Sequence, residues 1–345
     1  METSLIQLNR DNFEEAIQEA AGILTGGGLV AFPTETVYGL GADALNEAAV
    51  RSIFTAKGRP GDNPLIVHAS TMLDAFQMAR EIPEYAHGLA MQYWPGPLTL
   101  VLRKNGTVGD AVTAGLDTVA LRVPSHPVAL ALIHAAGVPI AAPSANASGS
   151  PSPTRAEHVY HDLNGRIPLI LDGGPCEVGL ESTVCDCTLD RPVILRPGAV
   201  TAEMIERTVG SVSIHKAVLG QYKGKAPSPG MKHRHYAPKA RLTLVTGPYA
   251  AAKICQLYDE SAGRGIPTAI LGTIENNPAY GDRRKVLLGS RENERECARH
   301  FFSALRQMDE GGVERIFAEG FSKEGMGLAL MNRAIRAAEY DIIET

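Results

Sequence analysis

The chain predicts a two-part α/β protein, in which a larger mixed sheet with helices is followed by a smaller domain built on a parallel sheet. Three observations carry this. Its 345 residues exceed the roughly 150 of a common domain, so two domains are the default. As far as about residue 212, many short strand-like runs with interleaved helical stretches occur without a regular strand–helix–strand period. From Arg241 onward strands and helices alternate cleanly.

Taken in order, 11–25 reads as an amphipathic helix. Phe13, Ile17, Ala20, Ala21 and Leu24 recur at helical spacing, and Gly26-Gly27-Gly28 stops the run. Leu29–Phe32 is a buried strand that enters Pro33-Thr34-Glu35-Thr36. Further strands are expected at 65–68, 98–102, 118–123, 139–142, 169–171, 182–187 and 193–196, and helices near 46–56, 70–79, 84–93, 127–136 and 155–163. Residues 221–240 carry five Lys/Arg, no acid, three prolines and two glycines without a helical or strand period, which reads as a linker. Beyond it, strands at 242–245, 268–271, 285–288 and 315–318 and helices at 249–260, 292–308 and 325–340 imply a parallel sheet, Rossmann-like in topology. The resulting division is 1–212 for the first domain, 213–240 for a basic Pro/Gly linker and 241–345 for the second domain.

Apolar residues make up 44% and charged residues 21%, with a net charge of −5. This supports a sizeable core and argues against a nucleic-acid coat or a binder of anionic membranes, while leaving room for a local basic pocket. Five cysteines without a Cys-x-x-Cys pair make a disulfide framework a poor fit and suit a reducing cytoplasm. The N-terminal segment has acids and no apolar signal core, and the apolar stretch 127–143 falls short of the roughly 20 residues that span a bilayer. A cytoplasmic protein is expected.

Phosphate loops of the G-x-x-x-x-G-K-[ST] and G-x-G-x-x-G types are missing, as are His-Glu-x-x-His and EF-hand loops. Cys185-Asp186-Cys187 on a strand supplies too few ligands for zinc, so no metal site is expected from it. Several polar turns stand out instead. Pro33–Gly41 is rich in hydroxyls and glycines after a buried strand, which suits either a ligand loop or an ordinary capped turn. Lys57 and Arg59 bracket Gly58 after a helix, a pairing that suits phosphate or carboxylate but also a helix C-terminus. Ser144 and Asn146 follow an apolar strand within Pro143–Gly149. Arg122 sits in an otherwise apolar strand and needs an anionic partner, either an internal carboxylate or a ligand. Arg196 repeats that argument, and Glu181-Ser182-Thr183 adds hydroxyls. Together these describe a cationic, hydroxyl-lined cleft that binds and polarises polyanions without a hydrolytic triad.

Read as a set, PTETVYGLG, Lys57-Gly58-Arg59, NPLIVH, the WPGPLTLVL stretch from Trp94, Pro143-Ser144-Ala145-Asn146 and HYAP at 235–238 resemble the L-threonylcarbamoyladenylate synthase family in its long, two-domain form, with a YrdC-like catalytic domain. The resemblance implies a nucleotidyltransferase that converts L-threonine, bicarbonate or CO2, and ATP to threonylcarbamoyl-AMP and pyrophosphate. Separate downstream transferase proteins then modify the adenosine next to the anticodon in tRNA, so tRNA need not bind here. It implies threonine contacts from Thr36, His68, Arg122, Ala142 and Ser182, with Arg122 taking the carboxylate. It implies ATP contacts from Arg59, Asn63, Thr118, Ser144, Asn146, Ser152, Arg196 and Tyr236, catalytic roles for Lys57 and Arg59, and a linker that acts as a lid. Mg2+ is expected with ATP, with no protein ligand identified. Two other readings stay open: an RNA-binding module using the same cationic cleft, and a carbamoyl-adenylate enzyme of metalloenzyme maturation, although its usual acylphosphatase-like and zinc-finger segments are lacking.

Overall fold

The computed structural model describes residues 2–220 and 236–345. The lid expected within 213–240 falls largely on 221–235, outside the described residues. The chain forms two compact units. The first comprises the described parts of 1–148, 153–177 and 181–232. The second comprises 149–152, 178–180 and the described part of 233–345. Two short stretches of the amino-terminal half therefore count with the second unit, which a division into contiguous blocks does not anticipate.

Among the described residues the first unit holds a 12-stranded mixed sheet. Its order is Ser4–Gln7, Leu169–Asp172, Val30–Phe32, Gly39–Asp43, Ile140–Ala141, Ile66–His68, Thr118–Arg122, Leu98–Lys104, Thr183–Asp186, Val193–Arg196 and Ser213–Ile214, with Ala79–Arg80 paired to Leu98–Lys104. The last strand corrects the boundary at 212. Ser213–Ile214 pairs with Val193–Ile194, and Ala217 is 2% exposed against the sheet, so the ladder and its burial carry the unit past the expected linker start.

Ladder partners share a face, and faces alternate along each strand. One face packs against the helices Glu47–Lys57, Glu84–Tyr93 and Ala156–Leu163 through Ile53, Leu89, Leu100, Leu121 and Val159. On the opposite face, Val30, Phe32, Ile140 and Ala142 are covered by the helices Phe13–Thr25 and Pro127–Ala136. Further along that same face Ile66, Val101, Ala120 and Val184 form a separate cluster with Leu195 and Ala217.

The strand Gly39–Asp43 has no β-branched or aromatic residue, and hydrophobic patterning misses it. Its place depends on smallness: a Cβ on Gly41 would lie 2.8 Å from both Phe32 and Ile140. The helix Glu47–Lys57 starts where the Asn46 side chain accepts from the amides of Ala48 and Ala49. It stops at Gly58, whose φ of 62° reverses the chain between Lys57 and Arg59.

The second unit has a five-stranded parallel sheet in the order Lys285–Leu287, Thr268–Gly272, Arg315–Glu319, Arg241–Thr246, Ile342–Glu344. Numbered within the unit this is 3-2-4-1-5, distinct from the 3-2-1-4-5 order of dinucleotide-binding sheets. At its carboxyl end Glu319, 1% exposed, accepts from the Thr273 amide at 2.8 Å, the Thr273 hydroxyl at 3.0 Å, Asn276 at 2.9 Å and the Tyr280 hydroxyl at 2.5 Å, and pairs with Arg291. Burial and this carboxylate push the Tyr280 phenol well above its ordinary range. Among the described residues no helix is long and apolar enough to cross a membrane.

Candidate active site

Register gathers several of the sequence-predicted residues onto one face. His68 lies opposite Arg122 and Ile140, Ala142 is two residues beyond Ile140, and Ser144 bridges to Gly39. Thr118, four residues before Arg122, shares its face, and Val184 stands opposite both Thr99 and Arg196. Ser182, two residues before Val184, follows by alternation. This is the face that carries the Ile66–Val101–Ala120–Val184 cluster, so the polar groups rise from an apolar floor.

At the carboxyl ends of the parallel strands Ile66–His68 and Thr118–Arg122, the internal partner of Arg122 is Glu35. Arg122 Nη2 donates to Glu35 Oε1 at 2.6 Å, and Nε donates to the Gly96 carbonyl at 3.2 Å. Glu35 Oε2 accepts from the Ser125 amide at 3.2 Å. Both side chains are buried, at 3% and 5% exposure. Glu35 escaped assignment from sequence, although the demand of Arg122 for an anion was the signal that could have found it. The turn that carries Glu35 is ordered by Thr34, whose hydroxyl donates to the Val37 carbonyl at 2.6 Å and lies 2.8 Å from that of Thr36.

The His68 imidazole is buried beside this pair. Burial first, and the Arg122 charge second, lower it to about 3, so it is neutral near pH 7. Among the described residues its Nδ1 has no hydrogen-bond partner. The same holds for both polar atoms of the Asn63 amide, which is 1% exposed. Buried polar groups are normally satisfied, so the Asn63 amide before this short strand and the His68 Nδ1 at its end are candidate ligand contacts.

At the amino end of that strand, Arg59 Nη2 donates to the carbonyls of Asn63 and Pro64, both at 3.3 Å. Lys57 is 3% exposed. Its ammonium donates to the carbonyls of Ser144 and Asn146, both at 2.5 Å, and its own carbonyl accepts from the Ser148 amide at 2.9 Å. Ser144 Oγ donates to Asn146 Oδ1 at 2.6 Å. Lys57 thus ties the two polar turns directly together, as a clamp on the 144–148 backbone. Across the sheet Arg196 donates from Nε to the Ser182 carbonyl at 3.0 Å and from Nη2 to Ser182 Oγ at 3.1 Å, and Ser182 Oγ lies 2.8 Å from Thr99 Oγ1.

Ser152 and Tyr236 belong to the second unit. There Tyr236 packs 5.3 Å from the Phe302 ring, with the Arg333 guanidinium 5.7 Å from its own ring. All five cysteines are free, and Cys185 and Cys187 are buried in the first unit's core. No group of His, Cys, Asp and Glu side chains among the described residues is placed to hold a metal ion.

The family model described as Telomere recombination matches residues 22–198, and that of the threonylcarbamoyl-AMP synthase C-terminal domain matches 200–339. The chain belongs to the threonylcarbamoyl-AMP synthase family. It is an enzyme of that type. Threonylcarbamoyl-AMP synthase of Pyrococcus abyssi is 49% identical over 97% of this chain and 98% of that protein, and that of Bacillus subtilis is 48% identical over 93% and 92%. The structure of P. abyssi Sua5 complexed with L-threonine has a TM-score of 0.94 to this chain at 48% identity, covering 99% of this chain and 100% of that one. Among the readings left open by the sequence, family membership favours the synthase.

Proposed function

We propose that this face of the first unit is where the synthase joins L-threonine, bicarbonate or CO2, and ATP into threonylcarbamoyl-AMP and pyrophosphate. The carrying observation is the buried Asn63 amide, neither of whose polar atoms has a hydrogen-bond partner among the described residues, before one end of a three-residue strand, with the buried His68 imidazole at the other end. On this reading His68 and Arg122 serve threonine, with Thr36, Ala142 and Ser182 around it. Arg59, Asn63, Thr118, Ser144, Asn146 and Arg196 serve ATP. Thr118 and Arg122 stand four residues apart on one strand, about 13 Å by the rise of a strand, which separates a nucleotide end from an amino-acid end.

The chemistry asks for alignment more than for a strong base or a covalent nucleophile. The threonine amine and CO2 form a carbamate, one oxygen of which attacks the α-phosphorus while the bond to pyrophosphate breaks. Both partners are anions, so cations at fixed positions offset their repulsion and take up charge on the leaving group. Arg196 touches Ser182 through two bonds, so the proposed nucleotide and threonine sets are mechanically linked. Lys57 acts by shaping the Ser144–Asn146 turn.

Magnesium is expected with ATP. Among the described residues no group of His, Cys, Asp and Glu side chains is placed to hold it. The product feeds tRNA threonylcarbamoylation by downstream transferase proteins, a cytoplasmic process. Ser152 and Tyr236 remain expected ATP contacts from the family pattern. The test is pyrophosphate release from ATP. It should require threonine and bicarbonate together, and equal release with neither added would overturn the proposal.

A further inference from the structure

Glu35 is outside the residues that the family pattern gives to threonine or ATP. It is nonetheless salt-bridged, buried, to the guanidinium proposed to hold the threonine carboxylate. The charges around that guanidinium decide what it accepts. Arg122 is already neutralised by Glu35, and His68 is uncharged, so the buried group carries no net positive charge. A simple carboxylic acid entering beside it would add an uncompensated buried anion. An amino-acid zwitterion adds one charge of each sign on neighbouring groups, on the same scale as the 2.6 Å that separates Arg122 Nη2 from Glu35 Oε1. Laid antiparallel to that pair, its carboxylate meets Arg122 and its ammonium meets Glu35.

We propose that Glu35 is the α-ammonium subsite, and that the Glu35–Arg122 pair recognises the zwitterion as a unit. The carboxylate is fixed for this task. Oε2 is held by the Ser125 amide, Oε1 by Arg122, and the turn beneath it by the Thr34 hydroxyl, so little ordering is left to occur on binding. The inference rests on the threonine reading of this face and adds to it a group that selects α-amino acids over hydroxy acids of the same shape.

The test uses the full chain and two ligands, L-threonine and the dihydroxybutyrate of the same configuration, in which a hydroxyl replaces the ammonium. Affinities are measured by titration calorimetry for wild type, Glu35→Gln and Glu35→Asp. Wild type should prefer threonine by about tenfold or more. Glu35→Gln should lose most of that preference, and Glu35→Asp, whose carboxylate is set back by one methylene, should lose a smaller part of it. Equal binding of both ligands to wild type would overturn the inference. So would a Glu35→Gln protein that binds both more weakly but with the preference intact, since that outcome assigns Glu35 only to positioning Arg122. If Glu35→Gln does not fold by circular dichroism, the shortened carboxylate of Glu35→Asp carries the test: threonine should weaken more than the hydroxy acid, and equal weakening contradicts the proposal. Wild type that neither binds threonine nor releases pyrophosphate with it would instead remove the threonine reading itself.

Discussion

The His68 imidazole stays neutral down to about pH 3, because burial and then the Arg122 charge oppose its protonation. In the unfolded chain it titrates near 6.5. Between these values the unfolded state binds the extra proton, so this residue's contribution to stability is complete above about pH 6.5 and falls as pH drops toward 3, by at most about 1.4 kcal/mol per unit. Urea midpoints at pH 7 and pH 5 should therefore drop more on acidification for wild type than for His68→Gln. Equal drops would show that His68 does not carry the effect. Arg59 makes a contrasting case, since its contacts are the carbonyls at the head of the Ile66–His68 strand. Arg59→Ala should abolish adenylate formation while far-UV circular dichroism stays near wild type, and near-normal turnover would remove Arg59 from the site. Arg122 was legible because a lone cation in an apolar strand demands an anion. Glu35 was not, because an internal carboxylate and a ligand satisfy that demand equally until the turn after Phe32 is seen to reach Arg122.

Elements with a strong hydrophobic period were the legible ones, such as the helices Phe13–Thr25 and Pro127–Ala136 and the strand Val193–Arg196. The strand Gly39–Asp43 and the edge strand Ser4–Gln7 were not. The first is selected by what its glycines leave out, and the second exposes most of its side chains. Nor did the pattern show that the end of the helix Glu47–Lys57 grips the turn after Ile140–Ala141. The two shortest Lys57 contacts, to the carbonyls of Ser144 and Asn146, are to backbone, which sequence cannot name; a longer one reaches Asn146 Oδ1 at 3.4 Å. Lys57→Met keeps the bulk and removes the donors, leaving acceptors in a buried place at about 1–3 kcal/mol each. Its urea midpoint should fall and its KM for ATP rise, with the KM for threonine changing less. An unchanged midpoint would contradict the clamp. Gly41→Ala should also destabilise, since the new methyl meets Phe32 and Ile140 at 2.8 Å.

At the scale of the whole molecule, the fold class and the change in character after the first sheet were readable from the periods of apolar residues. Membership of 149–152 and 178–180 in the second unit was not, because it depends on contacts far apart in sequence, such as Arg306 Nη2 donating to the Pro151 carbonyl at 2.6 Å. The 3-2-4-1-5 strand order was equally hidden, since alternation of strands and helices is the same for every parallel order. Within that unit Glu319 ties the carboxyl ends of its sheet together, and Glu319→Ala should lower stability by about 3 kcal/mol, read as a fall in urea midpoint. No fall would mean that the network contributes little. On the proposed reading, the first unit's face aligns two anions for attack at the α-phosphorus. The most direct test supplies the full chain with ATP, L-threonine and 13C-bicarbonate, and resolves the products by mass spectrometry. The expected product is a threonylcarbamoyl adenylate carrying the labelled carbon, formed only when all three substrates are present. An adenylate without the label, or pyrophosphate released with no such adduct, would contradict that reading.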